Sequence, residues 1–170
     1  MTRRNAVLRT SLGDLLAVAD GDAIAGLYFP EHWHPPAQTS IGREVVAAGD
    51  VAFARLKEEL SAYLEGDRTQ FDVPAVTGGD SFQEAVWAML REIPYGTTTT
   101  YGALATRLGD PRLARRVGGA VGRNPVSILI PCHRVVGSSG SLTGYAGGLE
   151  RKRHLLELEG AGIVAQRVLF

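Results

Sequence analysis

The residues with the clearest chemical potential are Cys132 and His133, which lie side by side in Pro131-Cys132-His133-Arg134-Val135. Cys132 is the single cysteine among 170 residues. One cysteine permits no internal disulfide and no thiolate zinc cage. A lone cysteine is either a small buried hydrophobe or a reactive thiol. A thiol attacks as its thiolate, so a nucleophilic Cys132 needs a lowered pKa or a base at hand. His133 is the neighbouring base. Adjacent side chains diverge, so a bridging water is the expected link between them. A carboxylate behind the imidazole would orient it and stabilise its charged form. Glu157 and Glu159 both have the right chemistry, and spacing does not choose between them.

Several elements must position this pair. Asn124-Pro125 closes a helix, and residues 126–130 form an apolar run that reads as a strand leading to Pro131. Ser- and Gly-rich residues 137–140 follow, then a second loop at Gly144-Tyr145-Ala146-Gly147-Gly148. A last helix over 149–159 carries Arg151, Lys152 and Arg153 and ends at Gly160. Upstream, two short helices are expected over 100–108 and 111–121. Gly109 ends the first, and Asp110-Pro111 opens the second as N-cap and first-turn proline. In the second helix Leu113, Val117 and Ala120 fall inward. Arg112, Arg115, Arg116 and Gly119 share an outer face, and Ala114 and Gly118 form a narrow strip of small residues. Each of Gly118 and Gly119 costs a helix about 1 kcal/mol relative to Ala, so close approach of the backbone to a target is the expected return. Two helices with a tight joint and Arg on the second suit a helix-turn-helix. Before them, Ser81 with Glu84 reads as a capping box, Phe82, Val86 and Met89 line one helix face, and Ile93-Pro94-Tyr95-Gly96 breaks that helix.

The first third has a different texture. Short apolar runs separated by Ser11-Leu12-Gly13-Asp14 and Asp20-Gly21-Asp22 predict a strand meander. Phe53, Leu56, Leu60 and Leu64 predict a helix over 50–65, ended by Gly66. Residues 71–79 read as a linker. The fold class is therefore α/β of the α+β kind. A small mixed sheet-plus-helix domain (1–75) precedes a mainly helical domain (76–170). His32 and His34 lie in a Pro-rich loop, read as exposed loop residues rather than metal ligands.

Formal net charge is zero, yet its distribution is uneven. Residues 1–78 hold 7 Lys and Arg against 11 Asp and Glu, while residues 79–170 hold 11 against 7. Ten of those eleven later cations are Arg, the residue suited to phosphate. No apolar run approaches the roughly 20 residues of a membrane span, and the basic start leads into no signal-type core, so a cytoplasmic location is expected.

The Pro131–Val135 motif resembles the active-site motif of the O6-alkylguanine-DNA alkyltransferases. The resemblance extends through Ile93-Pro94-Tyr95-Gly96, Tyr101, Ala114-Arg115-Arg116-Val117-Gly118-Gly119-Ala120, Asn124-Pro125, residues 128–137 and Tyr145-Ala146-Gly147-Gly148. It covers about the last 90 residues, whereas the first 75 match only in layout. It implies a single-turnover repair protein that flips an O6-alkylguanine, and O4-alkylthymine as well, out of double-stranded DNA. The alkyl group would pass to Cys132, irreversibly inactivating the protein. The resemblance further implies that His133 acts as base through a water, with Glu159 polarising it. Asn124 braces the turn after the recognition helix, and Tyr101 donates to guanine N3. Val135 offers its carbonyl to the guanine amino group, and Tyr145 and Ala146 line the pocket. Arg115 fills the gap left in the duplex. Ala114, Arg116, Gly118, Gly119 and Arg123 complete the minor-groove contact. A monomer is expected, able to bind DNA cooperatively, with no cofactor and no metal. Such a reading needs a sulfur poised as thiolate beside room for an everted purine.

Two features depart from some relatives. Ala146 stands where some carry Ser, which bears on the size of alkyl group accepted, and the cysteine ligands of an N-terminal zinc cluster are missing. The competing readings are a binding-only alkylated-DNA protein, which would lack the motif cysteine, a Cys/His hydrolase, which leaves the helix pair unexplained, and a regulator signalled by alkylation.

Overall fold

A computed structural model describes residues 3–161. Their contacts divide into two units. One runs up to Thr77 and takes in Pro125–Leu129; the other holds Gly78–Asn124 and the chain from Ile130 onward.

The first unit is built on a meander. Strands β1 (Arg3–Thr10), β2 (Gly13–Asp20) and β3 (Ala23–Tyr28) pair antiparallel in sequence order. Both connections are two-residue turns, because Thr10 faces Gly13 and Asp20 faces Ala23. A short strand β4 (Arg43–Glu44), not anticipated from the sequence, adds parallel to β1 and gives the order β3-β2-β1-β4. Gly42 makes this pairing feasible: its φ is 74° and a side chain there would collide with the Arg3 carbonyl. Helix α1 (Val51–Leu64) starts at Asp50, whose carboxylate accepts from the Ala52 and Phe53 amides and also pairs with Arg4. Phe53, Leu56 and Leu60 are fully buried along its apolar stripe. Glu59, on the same helix, is buried and accepts from the Asp72 and Val73 amides at 2.8 and 3.1 Å. Residues 71–79 are thus not a free linker: Pro74 and Val76 bond to both backbone groups of Ile24 on β3.

His32 corrects the sequence reading. It is buried, edge-on to Tyr28 at 5.2 Å, and burial holds its pKa down at about 4, so the ring is neutral. His34 is exposed as expected. The apolar run 126–130 is also not a strand. Ser127 pairs with Leu27, and the Leu129 amide bonds back to Ser127 across Ile128, whose φ of 72° is strained for a β-branched residue. Its hydrophobicity reflects burial in a turn rather than extension.

The second unit is mainly helical: α2 (Ser81–Arg91), α3 (Tyr101–Arg107), α4 (Ala114–Gly122) and α5 (Leu149–Leu158). The cap of α2 lies one residue earlier than expected. Asp80 accepts from the Gln83 amide while the Gln83 side chain accepts from the Asp80 amide, so the box is Asp80/Gln83 and not Ser81/Glu84. Val86, Trp87, Met89 and Leu90 are its buried face, and the Trp87 indole donates to the Ala120 carbonyl of α4 at 2.8 Å. Asp110 caps a 3-10 turn, Pro111–Leu113, that leads into α4. Val117, Ala120 and Val121 are buried, while Leu113 is only half-buried. A two-stranded parallel ladder joins β5 (Thr99–Thr100) to β6 (Val135–Val136). Among the described residues no helix is long and apolar enough to cross a membrane.

Candidate active site

Two turns deliver Cys132. The Cys132 amide bonds to the Ile130 carbonyl at 2.8 Å across Pro131, whose φ of −80° and ψ of 65° make an inverse γ-turn. A 3-10 turn, Cys132–Arg134, follows and runs straight into β6. Asn124 braces this corner, its side-chain amide donating to the Ile130 carbonyl at 2.8 Å. Cys132, His133 and Arg134 are all buried.

His133 is completely buried, and its Nε2 lies 2.9 Å from Glu159 Oε2. Opposite a carboxylate that nitrogen carries the proton, which leaves the Nδ1 lone pair as the basic site. Nδ1 has no hydrogen-bond partner among the described residues. Burial, above all, lowers the His133 pKa, against the pull of Glu159, so the ring rests neutral and able to accept a proton. Glu157 is exposed and pairs with Arg153 at 3.8 Å, which settles the choice that spacing left open.

Glu159 is also gripped by Arg134, which the sequence reading gave no role. Its guanidinium forks onto both carboxylate oxygens at 2.8 Å each and donates to the Ile93 carbonyl at 2.6 Å. Arg134 further lies over the Tyr95 ring at 5.7 Å, the Tyr95 hydroxyl donates to the Leu158 carbonyl, and the Gly96 amide points to Glu159. Ile93-Pro94-Tyr95-Gly96 is therefore more than a helix break: it forms the wall of the Glu159 site. Gly96 has φ 78°, and a side chain there would meet the Glu159 carbonyl oxygen at 2.9 Å.

Burial pushes the Cys132 thiol up, against hydrogen bonds from Asn124 and Tyr145 and the charge of Lys152. The resting group at neutral pH is a thiol, not the preformed thiolate the sequence reading required. Tyr145 and Ala146 are buried, and the Tyr101 hydroxyl, on the first turn of α3, donates to the Thr143 carbonyl at 3.5 Å. Thr100 caps that helix, so the β5–β6 ladder fixes Tyr101 relative to Val135. Lys152, which the sequence places on the last helix without a role at the site, is fully buried. One signal pointed to it: Lys152, Leu155, Leu156 and Glu159 recur at helical spacing, which puts a cation and a carboxylate on the inward stripe of α5.

On α4, Arg115 and Arg123 are exposed, as is Gly119. Arg116 is exposed too, but its guanidinium packs 3.9 Å over the Phe82 ring. Ala114 and Gly118 are half-buried; a side chain on Gly118 would touch the Tyr101 ring at an ordinary 3.8 Å, and one on Gly119 would meet nothing.

A pair of short helices with Arg exposed on the second thus shares one unit with a buried cysteine and a neutral imidazole bonded to a carboxylate. The profile of the 6-O-methylguanine DNA methyltransferase DNA-binding domain matches residues 81–161. A methylated-DNA–protein-cysteine methyltransferase of Mycobacterium bovis is 42% identical over 159 residues, which are 94% of this chain and 93% of the relative. An inducible relative from Bacillus subtilis is 54% identical over 101 residues, 59% of this chain and 56% of the relative. Mycobacterium tuberculosis OGT, solved in complex with DNA, aligns with TM-score 0.82 at 39% identity, covering 93% of each chain. The chain belongs to the methylated-DNA–protein-cysteine methyltransferase family.

Proposed function

We propose that this protein repairs DNA by direct reversal, taking the alkyl group of an O6-alkylguanine onto Cys132 and ending its own activity in doing so. The observation that carries the reading is the family's reaction meeting a single candidate: transfer is to a protein cysteine, Cys132 is the one cysteine present, and its chain neighbour His133 is bonded to Glu159. DNA is the partner by analogy with the DNA-bound relative; that it is alkylated duplex approached from the minor groove, with O4-alkylthymine as a second substrate, is what the resemblance of the Pro131–Val135 motif and the α4 residues implies. A chromosomal substrate places the work in the cytoplasm, by a monomer that can bind cooperatively.

In the reaction the Cys132 thiol gives its proton, through a water, to His133 Nδ1. The sulfur attacks the alkyl carbon in line. The S–C bond forms, the C–O6 bond breaks, and its electron pair leaves on guanine, which takes up the proton. Thiol and alkylguanine become thioether and guanine, with no co-reactant. Tyr101 at N3 and the Ala146 amide at O6 favour the departing anion. The attacked carbon lies inside the duplex, so the base must be everted, which costs a few kcal/mol. Arg115 in the vacated stack offsets part of it. Val135 offers its carbonyl to the guanine amino group, and Tyr145 walls the pocket. Ala114, Gly118 and Gly119 let α4 approach the groove, with Arg116 and Arg123 toward phosphate. Asn124 keeps the helix-to-cysteine corner in register.

The test is intact mass after mixing with an oligonucleotide bearing one O6-methylguanine. One methyl per protein on Cys132 and no second turnover are expected, while Cys132→Ser binds the DNA and gains nothing. Repeated turnover, or mass on another residue, overturns the reading.

A further inference from the structure

Lys152 is the only lysine after residue 57, and α5 turns it inward instead of toward solvent. Its side chain is fully buried, and its ammonium donates to two backbone carbonyls, Thr143 at 2.8 Å and Gly144 at 3.3 Å. Those carbonyls immediately precede Tyr145 and Ala146. A buried ammonium without partners is costly, and two carbonyls, which bear no charge, only partly replace its water. Burial accordingly holds its pKa down at about 8, with the Cys132 sulfur acting to raise it. The Thr143 carbonyl serves a second donor, the Tyr101 hydroxyl at 3.5 Å. When Tyr101 turns to a guanine, Lys152 still satisfies that carbonyl, so no buried acceptor is orphaned.

We propose that Lys152 is a positioning residue for alkyl transfer: its ammonium fixes the segment carrying Tyr145 and Ala146, and its positive charge favours the transient thiolate of Cys132. The proposal rests on Cys132 being the alkyl acceptor. Other ionisable groups at the site are accounted for. His133 is bonded to Glu159, Glu159 is bonded to Arg134, and Tyr101 shares the Thr143 carbonyl. Arg134 has its charge matched by a carboxylate, whereas among the described residues Lys152 has carbonyl partners only; its charge acts to lower the Cys132 pKa and, beside it, that of His133.

The experiment is single-turnover methyl transfer from an O6-methylguanine oligonucleotide by the full chain at pH 7 and at pH 10, for the wild type, Lys152→Met and Lys152→Arg. Methyl gained on Cys132 by the wild type is checked first, by mass, so that failure of the acceptor assignment is seen separately. At pH 10, well above its pKa of about 8, the lysine is neutral, so its charge should matter little. The Met variant should fall by about fivefold or more at pH 7, the size of a modest shift in thiolate fraction, and by much less at pH 10. The Arg variant, which keeps the charge, should stay nearer the wild type at pH 7. Equal losses at both pH values, or none, overturn the proposal, since a purely structural lysine would slow both alike. Lys152→Gln, which keeps a donor without charge, makes the same comparison if Met is not tolerated, and failure of both to fold also counts against it.

Discussion

At the scale of single residues, the chemistry turns on how one buried carboxylate is shared. Glu159 Oε2 receives both His133 Nε2 and an Arg134 nitrogen, at 2.9 and 2.8 Å. Each partner moves the imidazole in its own direction: the carboxylate raises the His133 pKa, and the Arg134 charge, with burial, lowers it. His133 must be neutral to take the thiol proton, and its pKa lies below the ordinary value near 6.5. The rate of methyl transfer should therefore hold as pH falls through the usual histidine range and drop only at more acid pH. Arg134→Met removes a lowering charge, so the acid limb should move to higher pH, a shift read directly from single-turnover rates between pH 5 and 8. A limb that stays put, or moves down, removes Arg134 from the relay. Substitution of His133 by Asn should slow transfer by about a hundred- to ten-thousand-fold at neutral pH, the usual worth of a general base.

At the scale of elements, what counts is how short segments far apart in sequence are held around that carboxylate. Gly96 accepts a φ of 78° and leaves room for the backbone at Glu159. A Gly96→Ala substitution meets both restrictions: the left-handed backbone alone costs about 1–2 kcal/mol, and the contact displaces the end of α5. Lower thermal stability together with slower transfer is the expected pair of results, and a stable but slow variant would show the displacement acting on chemistry alone. Much of this layer was legible beforehand. The hairpin turns, the α1 stripe and the Asp110-Pro111 start all follow from local rules, and the structure has them. What escaped was set by distant partners. Residues 126–130 read as a strand because hydrophobicity reports burial, not φ, and the turn at Ile128 depends on pairing with Leu27. His32 reads as exposed because its loop is polar, yet it is buried with Tyr28 packed against it. The cap of α2 slipped by one residue because Asp80/Gln83 and Ser81/Glu84 satisfy the same pattern. Arg134 and Lys152 carry no site role in the sequence because cations are expected outside, and the Glu159, Ile93, Thr143 and Gly144 acceptors make their burial tolerable.

At the scale of the whole molecule, a net charge of zero conceals a separation that matters for a polyanionic substrate. The first 78 residues are acidic by 4 charges and the remainder basic by the same number, so cation contacts to phosphate should come from the later residues. Counterion release makes this measurable, because the logarithm of affinity falls with the logarithm of salt concentration by about 0.9 per phosphate neutralised on duplex DNA. Arg123 is exposed at the end of α4, and Arg9 is exposed on β1. Arg123→Ala should reduce the salt slope by about one, uniformly across DNA sequences, with loss of affinity greatest at low salt. Arg9→Ala removes the same charge from the acidic part and should leave the slope where it was. Comparable changes in the two variants would mean that the affinity follows overall charge rather than its placement, and the Arg-bearing helix would lose its claim to the groove.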